Sequence, residues 1–226
     1  TIPRGERRGT HLLAIYVPQQ GLVLAQARVD LKENEITAAP HLLKQVSLEG
    51  AIVIADAMHT QKAMARQVVD DGGDYILTAK GNQSRTRWAI EKLFVHEICH
   101  LQKGVSLSKD FQMAVKTEKG HGRIEKRTIM TSTLLNDYLA EWPYLAQVFR
   151  IEHITWYDQM SRFTREITYG ITSLHPEKAS PEKLLDLIRS YWGIECSLHY
   201  RRDVTLQEDH TRLTVGNSGQ NMAILN

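Results

Sequence analysis

The stretch AIVIADAM, residues 51–58, decides the fold. Its five leading apolar residues run without interruption and end on a carboxylate, Asp56. A run this short reads as a strand buried on both faces, the kind that helices flank in an α/β sheet. Asp56 then stands at the strand's C-terminal end, where open α/β sheets place their chemistry. Working outward, residues 11–17 (HLLAIYV) and 21–29 (GLVLAQARV) are β-type runs joined across Pro18–Gly21, a hairpin signature. Residues 34–47 read as a helix with Pro40 in or near its early turns. A second helix is expected over 59–70, stopped by Gly72 and Gly73, and another strand over 74–79. The order β-β-α-β-α-β predicts parallel pairing across the helices.

Past residue 81 the pattern changes. Residues 84–102 look helical, 103–110 read as loop, and β-type runs follow near 111–117, 124–131, 147–156 and 163–171. The expected organisation is therefore an α/β core begun over 1–80, a β-rich insertion over 81–178, and a helical return to the core over 179–226. The chain has no internal repeat and no low-complexity tract.

That return begins with PEKLLDLIRSYWGIECSLHYRR, residues 181–202. Ser180 suits an N-cap and Pro181 a first helical position. At a 3.6 period one stripe runs Leu184, Ile188, Tyr191, Glu195, Leu198, Arg202, so a carboxylate interrupts an apolar face. A buried carboxylate without a partner costs several kcal/mol, so Glu195 is neutralised, paired or bound to a cation. One resolution is a bridge to Arg201, Arg202 or a neighbouring strand. The other is a metal site shared with Asp56.

With 226 residues, 42% of them hydrophobic, the chain can bury a full core as one large domain or a domain with an insertion. Its 28 basic and 26 acidic residues nearly cancel, so local clusters must decide for or against nucleic acid. Cys99 and Cys196 are isolated, which suits a cytoplasmic, reducing setting. No signal peptide and no apolar run of membrane length is present. The chain opens on Thr1 and stops at Asn226 inside the apolar-patterned run NMAILN, so a segment is expected to be missing at each end.

Three motifs carry candidate chemistry. HEICH, 96–100, matches the zinc-peptidase signature H-E-x-x-H, with Glu118 and His121 as the downstream candidates for a third ligand. The alternative is an amphipathic helix with solvated histidines. KGNQ, 80–83, follows a strand directly, and Lys80, Asn82 and Gln83 can hold phosphate by charge and side-chain N–H groups, or form an ordinary polar turn. KTEKGHGRIEKR, 116–127, gathers Lys116, Lys119, His121, Arg123, Lys126 and Arg127 into a basic hairpin able to track a phosphate backbone, or into a solvated face. Trp142, Trp156 and Trp192 are candidates for stacking on bases, with core packing as the rival role.

These pieces stand in a recognisable order: NEIT (34–37), IVIADAM with Gln61, GGDY (72–75), KGNQ, HGRIEKR (121–127), YWGIE (191–195), RRDVTLQEDHTR (201–212) and GNSGQN (216–221). Over roughly residues 11–226 the chain resembles the DDE transposases of bacterial insertion sequences, in the subgroup of the H-repeat-associated proteins. The resemblance implies a ribonuclease-H-like α/β fold: a mixed sheet flanked by helices, with a β-rich insertion before the last catalytic helix. It implies three acidic residues holding two Mg²⁺ ions, with Mn²⁺ as the substitute, and double-stranded DNA as partner, with a homodimer as the assembly. It places the second acid on Asp56, at the end of a central strand, and the third on Glu195; the strand-end carboxylate and the one set in the apolar stripe are expected to bring their oxygens within about 8 Å of one another. Lys80, Asn82, Gln83, Arg123, Arg127 and Arg202 are the implied DNA contacts.

The family's first Asp lies upstream of the arm containing Arg4, Arg7 and Arg8. No Asp precedes Asp30 here, and Asp30 ends the wrong strand. Around Glu195 the family's Tyr, Arg and Lys are replaced by Ile188, Tyr191 and Arg202, and only the last keeps a positive charge. The expected function is DNA cleavage and strand transfer by the parent protein, with this chain a trimmed or decayed catalytic domain that cuts no strand alone. A zinc peptidase and a non-catalytic DNA-binding remnant are the alternatives.

Overall fold

The computed structural model describes residues 11–29, 34–120, 122–157 and 162–194. Glu195, Arg202, His121 and Asp30 therefore lie outside the described residues, as does the stripe beyond Tyr191. The chain divides into two compact units, Thr1–Ser47 with Arg189–Asn226, and Leu48–Ile188.

In the first unit, β1 (His11–Val17) and β2 (Leu22–Val29) form the expected antiparallel hairpin. They make a two-stranded sheet of their own. α1 (Glu35–Leu43) packs on both strands. Its start is a capping box: the Asn34 side chain accepts the Thr37 N–H at 3.0 Å while the Thr37 hydroxyl accepts the Asn34 N–H at 3.3 Å. Ala38, Ala39, Leu42 and Leu43 form its buried face. Pro40 sits inside the helix rather than in its first turn. Its missing N–H costs a hydrogen bond there, and the helix ends three residues later.

The second unit is built on a six-stranded sheet ordered β3-β4-β8-β7-β6-β5. The strands are β3 (Ile52–Ala55), β4 (Asp74–Thr78), β5 (Phe111–Gly120), β6 (Arg123–Ser132), β7 (Gln147–Tyr157) and β8 (Arg162–Thr172). β3 and β4 pair in parallel across α2 (Lys62–Asp70), as the crossover rule requires. The other pairs are antiparallel. The sheet is thus mixed and flanked by helices, as the resemblance implied. The four β-type runs assigned to an insertion continue this same sheet, with β8 laid against β4.

Two expectations are corrected. Among the described residues, the run 51–55 supplies the edge strand of this sheet rather than a central one buried on both faces, and Ile52, Val53 and Ile54 are only half-buried. The strand that meets that description is β4, where Tyr75, Ile76 and Leu77 are buried between β3 and β8. The second helix starts at Lys62 rather than 59, because a 3-10 turn over Ala57–His59 comes first. Its stop is as read, with Gly72 at φ +87°, a conformation side chains resist.

β8 pairs with β7 along its whole length and with β4 at Gly170, Ile171 and Thr172, and at Gly170 it closely approaches both. A Cβ at Gly170 would stand 2.2 Å from the Phe149 ring and 2.5 Å from the Leu77 carbonyl oxygen. α3 (Ser84–Gln102) packs on β7 and β8 through Ile90 and Phe94. α4 (Pro181–Ile194) buries Leu184, Leu185 and Ile188, and its Asp186 meets Lys116 of β5 at 2.6 Å. No described helix is long and apolar enough to cross a membrane.

Candidate active site

β3 ends at Ala55, and Asp56 caps the 3-10 turn that follows, its side chain accepting the Ala57 N–H. The carboxylate is turned outward, 56% exposed. Its Oδ1 lies 3.7 Å from the ammonium of Lys80, itself 68% exposed. Parallel pairing of β3 with β4 brings these two strand ends side by side, which is why residues 24 apart in sequence meet.

The two turns are laced together. Asn82 donates to the Ala57 carbonyl at 2.6 Å and Gln83 to the Thr60 carbonyl at 2.8 Å. The Thr60 hydroxyl, fully buried, donates to the Thr78 carbonyl at 2.6 Å. Behind them the Ala79 N–H bonds to the Tyr169 carbonyl of β8, at 2.8 Å. One N–H of each amide expected on phosphate is thus spent on the loop that carries Asp56. Sequence reasoning missed Thr60, an uncharged residue inside the motif; its only signal was its place between an apolar strand and a helix start.

The basic hairpin is a β-hairpin, with Gly120 opposite Arg123 and Lys116 opposite Arg127. Its cations differ in kind. Arg127 is 8% exposed and held by Glu118 at 3.1 Å and by Glu125, so it cross-links the sheet and is not the surface contact expected. Arg123, half-exposed, pairs with Glu125 at 2.5 Å. Lys119 and Lys126 make no ion pair among the described residues. Over Arg123, Glu125, His153 and Tyr157 lies an open cleft of about 350 Å³. Burial pushes the Glu125 carboxyl up, but the hydrogen bond and charge of Arg127, with Arg123 and His153, outweigh it and hold the carboxyl low. Burial and the Arg127 charge push the His153 imidazole down.

HEICH lies on α3, with the His96 and His100 rings 4.3 Å apart. Glu97 faces the other way. It is 4% exposed and accepts the Ser108 N–H at 2.7 Å, so it fastens the loop after the helix and cannot act as base beside the histidines. No group of three metal-ligating side chains occurs among the described residues. Trp142 is a core residue, 2% exposed, with its indole N–H on Thr86 at 2.9 Å. Trp156 is 39% exposed, and the side chain of Trp192 is outside the described set.

Residues 3–226 match the family described as Transposase DDE domain. The chain is 31% identical to "Putative protein YbfL" of Escherichia coli K12 and 31% identical to "H repeat-associated putative transposase YhhI" of the same strain. Each alignment covers 96% of this chain and 56% of the relative. "Putative transposase YncI" of Escherichia coli O157:H7 is 32% identical over 96% of this chain and 54% of its own. The chain spans a little over half the length of these relatives.

Proposed function

Because this chain belongs to the transposase DDE domain family, we propose that it forms the catalytic core of an insertion-sequence transposase, acting in metal-dependent cleavage and strand transfer at the ends of the element. The observation that carries this reading is Asp56: a carboxylate at the C-terminal end of a parallel strand, turned outward and facing a lysine.

Asp56 offers the kind of donor that a hard divalent cation takes. Carboxylate oxygens are the donors Mg²⁺ and Mn²⁺ take, and Oδ2 of Asp56 makes no hydrogen bond or ion pair among the described residues. Asp56 and Glu195 are the proposed ligands. A third carboxylate would enter on a strand paired with the outer edge of β3, which is open among the described residues. Bound ions supply Lewis acidity for activating water or a 3′-hydroxyl and for stabilising the leaving oxygen.

The chain's own residues then divide the remaining work. Lys80, Arg123 and Arg202 contact phosphates of the duplex, Asn82 and Gln83 hold the Asp56 turn in place, and Arg127 keeps the hairpin rigid. Two protomers each holding one end of the element, acting on chromosomal DNA in the cytoplasm, complete the reading.

The test is Mn²⁺ binding by calorimetry, together with nicking by the parent-length protein. Asp56→Asn is expected to abolish both while leaving the fold intact. Unchanged Mn²⁺ affinity in that variant would remove Asp56 from the site.

A further inference from the structure

Lys80 stands beside the carboxylate that the proposed function gives to a metal ion. We infer that its ammonium is a placeholder cation on Asp56, which leaves for a DNA phosphate and thereby couples metal binding to DNA binding. The inference rests on the reading of Asp56 as a metal ligand and goes beyond a plain phosphate contact.

Three observations carry it. Lys80 Nζ lies 3.7 Å from Asp56 Oδ1, so a charge already stands at the carboxylate. Both side chains are more than half exposed, and an exposed pair is weakly held, so the ammonium can depart. The base of the lysine, by contrast, is fixed. Gly81–Gln83 form a 3-10 turn for which Lys80 is the N-cap residue, and Asn82 and Gln83 pin that turn to the Ala57 and Thr60 carbonyls. A flexible four-carbon stem on a fixed root is what a cation needs to swing between two partners.

The charges decide the direction of the effect. With Lys80 beside Asp56, an arriving divalent ion meets a like charge and must displace it. When a phosphate takes the ammonium away, that obstacle goes, and the phosphate adds negative charge nearby. DNA then raises the affinity for metal, and by linkage metal raises the affinity for DNA by the same factor. Free protein is kept poorly loaded, so its ions assemble where a strand is present to be cut.

The experiment titrates Mn²⁺ into the chain by calorimetry, with and without a short random-sequence duplex, subtracting the duplex alone. Lys80→Met, which keeps most of the stem, is expected to bind Mn²⁺ about three- to tenfold more tightly than wild type without DNA. Lys80→Arg stays near wild type. Duplex should tighten Mn²⁺ binding to wild type and to Lys80→Arg, but barely to Lys80→Met. The salt slope of DNA affinity should fall by about one in Lys80→Met. Unchanged or weaker Mn²⁺ binding by Lys80→Met without DNA overturns the placeholder role. Asp56→Asn binding Mn²⁺ like wild type instead overturns the metal reading beneath it, so the two failures are distinguishable. Lys80 is mostly exposed, so its substitution should leave folding unchanged, and equal thermal midpoints of wild type and variants are the check.

Discussion

Asn82 donates its side-chain amide to the carbonyl oxygen of Ala57 at 2.6 Å, joining the turn after β4 to the turn that carries Asp56. This contact crosses 25 residues of sequence and ties down the backbone of the candidate site. Asn82→Ala is expected to cost about 1 kcal/mol, the usual worth of a part-buried hydrogen bond. Its clearer sign should be local: faster hydrogen exchange over residues 57–61 than a uniform loss of stability explains. Exchange that rises evenly over the whole second unit would show that Asn82 serves only global packing.

Arg123 and Arg127 should part company. Arg127 is buried against Glu118 and Glu125, and removing one partner of such a pair leaves uncompensated charge. Arg127→Ala should cost about 3–5 kcal/mol in denaturant unfolding. Arg123→Ala should stay within about 1 kcal/mol and instead flatten the dependence of DNA affinity on salt. Equal stability losses in the two variants would contradict the burial difference.

Acid should unfold the second unit in two stages. The His153 imidazole is pushed below its ordinary 6.5 by burial and by Arg127, so as pH falls past 6.5 the unfolded chain takes up that proton first and stability declines. Glu125, held below its ordinary 4.5, stabilises the fold above that value, and its contribution is lost as pH drops through its depressed one. His153→Gln should flatten the first stage and leave the second. Urea midpoints between pH 7 and 3 read both directly.

The H-E-x-x-H match should behave as two unrelated features. His96 is exposed, and His96→Ala should change stability by no more than about 0.5 kcal/mol. Glu97→Ala leaves the Ser108 N–H without its partner and opens space beside Phe94, and should cost about 1–3 kcal/mol. Stoichiometric zinc that disappears with His96 would revive the peptidase reading.

Much of the architecture was legible because it is local. The hairpin of β1 and β2, the helix that became α3 and all four later strands follow from period and turn residues, and structure and sequence agree on them to within a few residues. What failed was non-local. AIVIA and DYILTA are equally apolar runs, and it is the docking of β8 that puts β4 inside and, among the described residues, leaves β3 at the edge. Arg123 and Arg127 have the same charge and strand parity and share Glu125, and differ because Arg127 is buried and also held by Glu118 while Arg123 stays half-exposed. Glu97 was readable in hindsight: it is in phase with Ile90 and Phe94 on the buried stripe of α3. At the site, a polar quartet after a strand marked Lys80 as a candidate, and the structure sets it beside Asp56, but whether an amide meets a phosphate or a neighbouring carbonyl depends on a parallel partner that no local pattern specifies.

The pairing of Ile76 with Thr172 has a consequence for the order of events in time. On an emerging polypeptide, β3, α2 and β4 appear early, yet β4 must wait for almost a hundred further residues before its second edge is covered. Such long-range closure slows folding, because the entropy of the intervening loop is lost before the contact forms. During synthesis the DYILT strand is therefore an unsatisfied, apolar edge, open to the same strand of a neighbouring nascent chain. The yield of native molecules should depend on how quickly β8 arrives. Gly170, where a side chain would run into the Phe149 ring and the Leu77 carbonyl, then acts as a checkpoint of biogenesis, and a side chain there would be felt first as aggregation on the ribosome's timescale.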